Sequence, residues 1–158
     1  MVQSGDTCDG GPVDYYGYRE DSARARRLFH VTPGMIDVYS SLTGVKYPWA
    51  KYAQTTVADF FGGMENVSAT TLPESALTDP RAGFHNMAWL NSHELAHQWF
   101  GDLVTCRDWG QVWLNESFAT FFEALYMEHS RGPVAYAQEI HGDMQGYFSE
   151  SRRYKRPI

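Results

Sequence analysis

Residues 93–97 read His-Glu-Leu-Ala-His, a pattern whose residue types and spacing suit metal-dependent hydrolysis. On a helix, His93 and His97 project from one face about one turn apart, where two imidazoles can share an ion. Glu94 lies one residue further round, so its carboxylate reaches the rim of the site and can accept a proton from an attacking water. Two neutral nitrogens, a carboxylate and an open position form a catalytic zinc set. The alternative is a helix with two hydrogen-bonded histidines and a solvated glutamate.

A third ligand is expected from the next helix. A metzincin would continue with glycine three residues after His97 and another histidine three later, but these positions hold Phe100 and Leu103. Glu116 instead lies 19 residues after His97, and a turn through Gly101–Trp109 would fold its helix back. The alternative for Glu116 is a solvated acidic residue in the first turn of a helix, where the helix dipole stabilises it.

A further motif precedes this region. Residues 62–66 read GGMEN, residues 93–101 read HELAHQWFG, and residues 113–119 read WLNESFA. Together they resemble the zinc aminopeptidases of the gluzincin group, the aminopeptidase N and leukotriene hydrolase family, over roughly residues 13–158. That family has the same spacing of HExxH, 18 residues and Glu, and its exopeptidase motif is GxMEN. The usual NEGFA reads NESFA here, with Ser117 in place of glycine.

The resemblance implies a role for each matching residue. His93, His97 and Glu116 would bind one zinc ion. Glu94 would be the general base and then the proton donor to the leaving amine. Glu65 would bind the free α-amino group of the substrate, which an exopeptidase must recognise next to the scissile bond. The rest of the motif would contact the peptide backbone, which could lie alongside as an added strand: Gly62, Gly63, Met64 and Asn66.

Read without the zinc motif, GGMEN would be a β-bulge with an exposed glutamate. Glu123 lies two helical turns after Glu116 and would either orient a ligand imidazole or be an ordinary surface glutamate. The family also stabilises the oxyanion with a tyrosine whose position would follow Ile158. We therefore expect residues 16–158 to be a partial catalytic domain, truncated at its C-terminal end, and residues 1–15 to be a loop or the tail of a preceding β domain.

The elements that must position these residues are predicted as strands and loops first and helices afterwards, which gives the α+β class. With the resemblance, this describes a thermolysin-like peptidase core in which helices follow a small mixed sheet. Loops are predicted at 4–12 and 67–83, and strands at 13–18 and 51–60. Helices are predicted at 20–30, at 32–43 with Thr32 as N-cap and Gly44 as the stop, and at 84–100, 109–130 and 133–152. The helix at 109–130 has a capping-box-like start in Asp108 and Gln111 and apolar residues at the 3.6-residue period, and the Gly132-Pro133 pair ends it.

Composition excludes other classes of protein. The chain has 158 residues, of which 43% are apolar, and a net charge of −6 without a basic stripe, which argues against nucleic-acid binding. Its longest apolar run, counting glycine, is Phe60–Met64, far short of the roughly 20 residues that a membrane span needs. The sequence does not determine the compartment, but Met1–Asp6 has no apolar signal-peptide core, which favours the cytoplasm.

These observations predict a zinc-dependent aminopeptidase that acts on peptides with a free N-terminus. Two alternatives stay open. One is an endopeptidase of the same fold, against which the GGMEN motif argues. The other is a module that binds zinc without catalysis, as the absence of the oxyanion tyrosine from residues 1–158 allows. The preferred N-terminal residue and the oligomeric state do not follow from the sequence.

Overall fold

A mixed sheet begins the fold, in a computed structural model that describes residues 1–8, 10–77 and 87–154. Its strands are β1 Val2–Cys8, β2 Gly11–Gly17, β3 Tyr52–Val57 and β4 Ala69–Pro73. They pair in the order β1-β2-β3-β4, with β1 and β2 antiparallel and the other two pairs parallel. Parallel neighbours need crossover connections, and these carry helices between β2 and β3. The small mixed sheet is confirmed.

Helices occupy most of the remaining described residues. They are α1 Ser22–Phe29, α2 Thr32–Thr43, α3 Ala88–Ala96, α4 Trp113–Arg131 and α5 Pro133–Arg153. Short 3-10 turns lie at Arg19–Asp21, Glu74–Ala76 and Trp109–Gln111. The α+β prediction is confirmed, because sheet residues predominate early and helices later. Part of the helix predicted at 84–100 and of the loop predicted at 67–83 lies outside the described residues.

Two predicted loops contain strands. Strand β1, Val2–Cys8, overlaps the first part of the loop predicted at 4–12, and it pairs along its full length with β2. Strand β4 lies in the segment predicted as a loop because of its Ser, Thr and Pro content. In β4, Thr70 and Leu72 are fully buried, and Thr71 between them is less buried. Such alternation is typical of a strand with one face packed on the hydrophobic core, and its β-branched threonines favour the strand.

The start of α2 also differs from the sequence prediction. Val31, not Thr32, occupies the N-cap position, and no side chain caps the helix there. The Thr32 hydroxyl instead donates to Oε1 of Gln54 on β3 over 2.8 Å, in a fully buried position. Tertiary packing therefore uses the hydroxyl that the sequence pattern assigned to the cap. The predicted stop is confirmed, since Gly44 has the left-handed φ of 70° that favours glycine at a helix C-terminus.

The chain divides into two units, Met1–Glu123 and Ala124–Ile158. The core of the first unit is rich in tyrosine and aliphatic side chains, and its largest fully buried members include Tyr15, Tyr39, Tyr52, Phe29, Met35, Ile36, Leu72 and Leu95. Strand β2 runs through positions 15 and 16, where the sequence placed a domain boundary, and that boundary stays a prediction.

The second unit contains the end of α4 and all of α5. Gly132, with φ of 88°, separates the two helices, and Pro133 opens α5, as the Gly-Pro pair predicted. No residue of α5 is buried. Among the described residues of the whole chain, no helix combines the length and the apolar character that crossing a membrane requires.

Candidate metal centre

The HExxH residues lie at the end of α3. The helix ends at Ala96, earlier than predicted, but His97 keeps helical φ and ψ of −57° and −24° as its C-cap residue. The two histidines therefore stay one turn apart, and their Nε2 atoms lie 3.3 Å from each other. After His97 the main chain tightens into a turn, in which Trp99 N–H donates to the carbonyl of Ala96 over 3.1 Å.

A fixed turn between α3 and α4 brings Glu116 to these histidines. Gly101 has a φ of 132°, and a Cβ there would lie 3.1 Å from Nδ1 of His97, so both the backbone angle and the space favour glycine. Further along, the Cys106 N–H donates to Oδ1 of the buried Asn115 over 3.0 Å. The turn is thus tied to α4 one residue before Glu116.

Capping and ring stacking complete the approach of α4. The predicted capping box is half right, because the Asp108 side chain accepts from the Gly110 N–H over 3.0 Å. The Gln111 side chain does not complete the box with Asp108. Instead, Oε1 of Gln111 accepts from the indole N–H of Trp113. On the apolar face of α4, the ring of Phe118 stacks on that of Phe100 with centroids 4.7 Å apart. These contacts orient the first turns of the helix toward α3.

The three candidate ligands converge on one point. Oε2 of Glu116 lies 3.6 Å from Nε2 of His93 and 3.6 Å from Nε2 of His97. Two ligand atoms that each lie about 2.0–2.1 Å from one tetrahedral zinc ion are roughly 3.3–3.5 Å apart. The observed separations fit a zinc set of two imidazoles and one carboxylate.

The second nitrogen of each imidazole has its own partner. Nδ1 of His97 lies 2.9 Å from the carbonyl oxygen of Phe100. Because a carbonyl only accepts, this nitrogen carries the proton, and the lone pair is left on Nε2. Nδ1 of His93 lies 3.4 Å from Oε2 of Glu123. The structure therefore brings Glu123 to the place that the orienting role requires, as outer carboxylates commonly do at zinc sites.

Negative charge dominates the electrostatics of this cluster. Burial opposes the charged form of His93, but hydrogen bonding to Glu116 and Glu123 outweighs it and raises the pKa of His93 to about 9. Burial and Glu116 oppose each other in the same way at His97, and the pKa of His97 is also raised. Hydrogen bonds from both imidazoles hold the pKa of Glu116 well below its usual range. The carboxylates that favour a positive charge on these imidazoles would equally favour a divalent cation in their place.

Glu94 stands beside the ligands in a buried position. Its side chain is 4% exposed, and burial raises its pKa to about 7 although both histidines act in the opposite direction. The backbone of Gly63 lies directly against this carboxylate, so that a Cβ at position 63 would overlap the carboxyl atoms of Glu94. The glycine therefore keeps space for the carboxylate, a role that the sequence did not indicate.

The GGMEN segment lies beside β4, in the crossover between β3 and β4. Met64 forms a two-way antiparallel bridge with Thr71, with N–H to carbonyl distances of 2.9 and 2.8 Å. Gly62 has a left-handed φ of 73°, which favours glycine. Asn66 is exposed, and its side chain donates to the Thr71 hydroxyl over 3.4 Å. One carboxylate oxygen of Glu65 lies within 4.8 Å of ligand atoms of Glu94 and His97.

Gln98 was not anticipated from the sequence. This fully buried amide follows His97, donates from Nε2 to the Glu65 carbonyl over 3.0 Å, and accepts at Oε1 from the Ser68 N–H over 2.7 Å. It therefore ties the GGMEN segment to the chain that follows the candidate ligands. The sequence offered one sign of this role. Gln98 lies between His97 and Trp99, so a helix end that is buried on all sides would bury its amide, which would then need hydrogen-bond partners.

Comparison with known proteins assigns the family. A family model described as the peptidase family M1 domain matches residues 27–156 of this chain. The chain belongs to peptidase family M1. The matched range of this M1 chain includes the three candidate ligands, Glu94 and the whole GGMEN segment. The resemblance inferred from the motifs is confirmed.

Individual M1 relatives agree with this assignment. Over 104 residues the chain is 45% identical to probable aminopeptidase 2 of Sulfurisphaera tokodaii, and over 106 residues it is 43% identical to aminopeptidase N of Streptomyces lividans, each match covering 63% of the chain. It is 35% identical to glutamyl aminopeptidase of Bos taurus over 136 residues, or 82% of the chain. The matches span only 12–14% of the length of these relatives.

Proposed function

We propose that this M1 chain carries the catalytic centre of a zinc-dependent aminopeptidase, which removes N-terminal residues from peptides. The observation that carries the proposal is the approach of Glu65 to the metal cluster, within 4.8 Å of ligand atoms of Glu94 and His97. A metal-dependent hydrolase needs only the cluster. An exopeptidase also needs an anionic group at a fixed distance from it, which holds the substrate amine. The names of the relatives, all aminopeptidases, support the same reading.

His93, His97 and Glu116 are the residues that would hold the zinc ion. When bound, the ion supplies Lewis acidity, which polarises the scissile carbonyl and makes a water molecule nucleophilic at neutral pH. Glu94 would accept a proton from the attacking water and pass it to the leaving amine. Its burial and its pKa near 7 suit a group that must both take up and release a proton at neutral pH.

Glu65 would pair with the α-ammonium group of the substrate. Gln98 holds the main-chain carbonyl of Glu65, and Thr71 holds the main chain of the neighbouring Met64, so the backbone that carries this carboxylate has a defined position. The peptide backbone would lie along residues 62–66, where the space beside Gly62 is open. This arrangement would determine the register of cleavage, one residue from the free N-terminus.

The decisive experiment compares free and blocked substrates in the full-length protein. Within a set of free-amino peptides that differ in their first residue, hydrolysis of the preferred peptide is expected to stop when a chelator removes the metal and to return when zinc is added back. The same peptide with an acetylated N-terminus is expected to be a poor substrate. Equal hydrolysis of both peptides would indicate an endopeptidase, and zinc binding without hydrolysis of either would indicate a non-catalytic module.

Glu94→Gln tests the general base. The amide keeps the shape of the side chain but cannot accept the proton, so kcat is expected to fall about 10²- to 10⁴-fold with the zinc content unchanged. The matched control is Glu128→Gln, which makes the same chemical change at an exposed position of α4 and is expected to keep wild-type kcat. A Glu94→Gln enzyme with wild-type kcat would contradict the assignment.

A further inference from the structure

The hydroxyl of Tyr39 lies between the two helices that carry the candidate ligands. Tyr39 belongs to α2, which contributes no ligand, and its side chain is fully buried. The oxygen is 3.1 Å from the carbonyl of Ser92 on α3 and 3.1 Å from the carbonyl of Phe122 on α4. Ser92 and Phe122 directly precede His93 and Glu123, the pair whose side chains lie 3.4 Å apart.

A hydroxyl has one hydrogen to donate, and both neighbours are carbonyls that only accept. The equal distances therefore describe a shared hydrogen bond in which the hydroxyl faces both helices at once. Both carbonyls lie inside helices and accept from their own helix as well, so the hydroxyl adds a buried hydrogen bond that links α3 to α4. The hydroxyl thus favours one separation of the two helix backbones at the His93–Glu123 pair.

The ring that carries this hydroxyl is itself fixed. It packs edge-on against Phe122 and Trp99, with centroids 5.2 and 6.0 Å away. The start of α2 is tied to α3 as well, because Nδ2 of Asn91 donates to the Thr32 hydroxyl over 3.1 Å. The ring of Tyr39 and the start of α2 are therefore both held in place. If α3 or α4 shifted, the hydroxyl oxygen could not easily move with it.

We propose that Tyr39 is a positioning residue of the metal centre, whose hydroxyl sets the spacing of α3 and α4 so that His93 meets Glu116 and Glu123. It acts through the two helix backbones and touches neither ion nor substrate. The inference depends on the proposed function in one respect only, the binding of a divalent metal by His93, His97 and Glu116.

Tyr39→Phe tests this role on the chain itself. The substitution removes one oxygen and keeps the ring packing. Its zinc affinity, measured by competition with a chromophoric chelator, is expected to be about three- to tenfold weaker than that of the wild type, as the loss of one buried hydrogen bond implies. The visible absorption bands of the cobalt-substituted chain are expected to shift, because they report the geometry of the ligands rather than overall stability.

Tyr15→Phe is the matched control. Tyr15 is also buried, and its hydroxyl is shared between two acceptors, the main-chain carbonyl of Phe29 on α1 and Oδ2 of Asp6 on β1, each 3.0 Å away. This variant is expected to lose similar stability while it keeps wild-type zinc affinity and cobalt bands. Combining Tyr39→Phe with Glu123→Gln should weaken zinc binding by less than the product of the single effects, because both act on His93.

Wild-type zinc affinity and cobalt bands in Tyr39→Phe would overturn the inference. So would equal losses in Tyr15→Phe, or a Tyr39→Phe chain that stays unfolded in saturating zinc, because the residue would then serve folding in general. A wild-type chain that binds neither zinc nor cobalt would instead contradict the proposed function.

Discussion

The candidate metal ligands are held by their side chains, whereas the Gly62–Asn66 segment is held by its backbone. In the cluster, each imidazole has a partner on both nitrogens, and Glu116 contacts both rings. In the segment, Met64 pairs with Thr71 through main-chain groups, and the Glu65 carbonyl is bound by Gln98. The two regions meet where Gly63 approaches Glu94 and where Glu65 approaches Glu94 and His97.

This difference between side-chain and backbone contacts predicts which substitutions each region should tolerate. A cluster made of side chains loses its function when any one side chain changes. A segment made of backbone keeps its position under most substitutions, and should be sensitive only at Glu65, which supplies charge, and at Gly63, which supplies space. The predictions below test this contrast in both regions.

His97→Ala should have the largest effect. It removes one of three ligands and leaves Glu116 with a single imidazole. Because the loss of an outer partner alone costs about 10- to 100-fold in metal affinity, the loss of a ligand should exceed 100-fold. Metal analysis of the purified chain should show about one zinc equivalent in the wild type and a small fraction of that in the variant. Equal zinc contents would refute the ligand assignment.

Glu65→Ala should separate the two regions. In the full-length protein, kcat/KM on free-amino peptides should fall about ten- to a thousandfold, the roughly 1.4–4 kcal/mol expected for one lost charged contact. Zinc content should stay at the wild-type level because Glu65 is not a ligand. Steady-state kinetics and metal analysis on the same preparation check both parts, and a variant that loses its zinc would place Glu65 in the cluster instead.

Gly63→Ala tests whether the segment acts through space as well as charge. The added methyl would overlap the Glu94 carboxylate, so the base must move, and a displacement near 1 Å can cost about 100-fold in turnover. Thermal unfolding and zinc content should change little. The control is Gly62→Ala, where no heavy atom lies within 4 Å of the added carbon and only the left-handed φ opposes it. Equal kcat in Gly63→Ala and wild type would show that Glu94 does not depend on this contact.

Glu123→Gln should have the smallest effect in the cluster. The amide can still contact Nδ1 of His93 but no longer offers a negative charge, so zinc affinity should fall about 10- to 100-fold. Chelator competition measures this, with Glu128→Gln as the exposed control on the same helix. An unchanged affinity would make Glu123 an ordinary polar neighbour, which is the alternative that the sequence left open.

Much of the framework could be predicted from local patterns. The 3.6-residue period and the i, i+4 spacing of the histidines predicted α3 and α4, and the Gly-Pro pair predicted the start of α5. Strands β1 and β4 could not be predicted in this way, since a strand is stabilised by its neighbours and its polar composition imitates a loop. The prediction of Thr32 as an N-cap was wrong for a related reason, because its hydroxyl donates to a buried partner on β3. The domain boundary after residue 15 and the cytoplasmic location stay predictions.

From the sequence alone, the spacing of residues on helices pointed to His93, His97, Glu94 and Glu116 as the candidate centre. The resemblance to a known family added Glu65. How these groups are held depends on tertiary contacts. Gly63 lies against Glu94, Gln98 binds the Glu65 carbonyl, and the Tyr39 hydroxyl lies between two helix carbonyls. Each of these contacts joins residues that lie 30 or more positions apart in the chain. Such contacts depend on how helices and strands pack, and no local pattern in the chain encodes them.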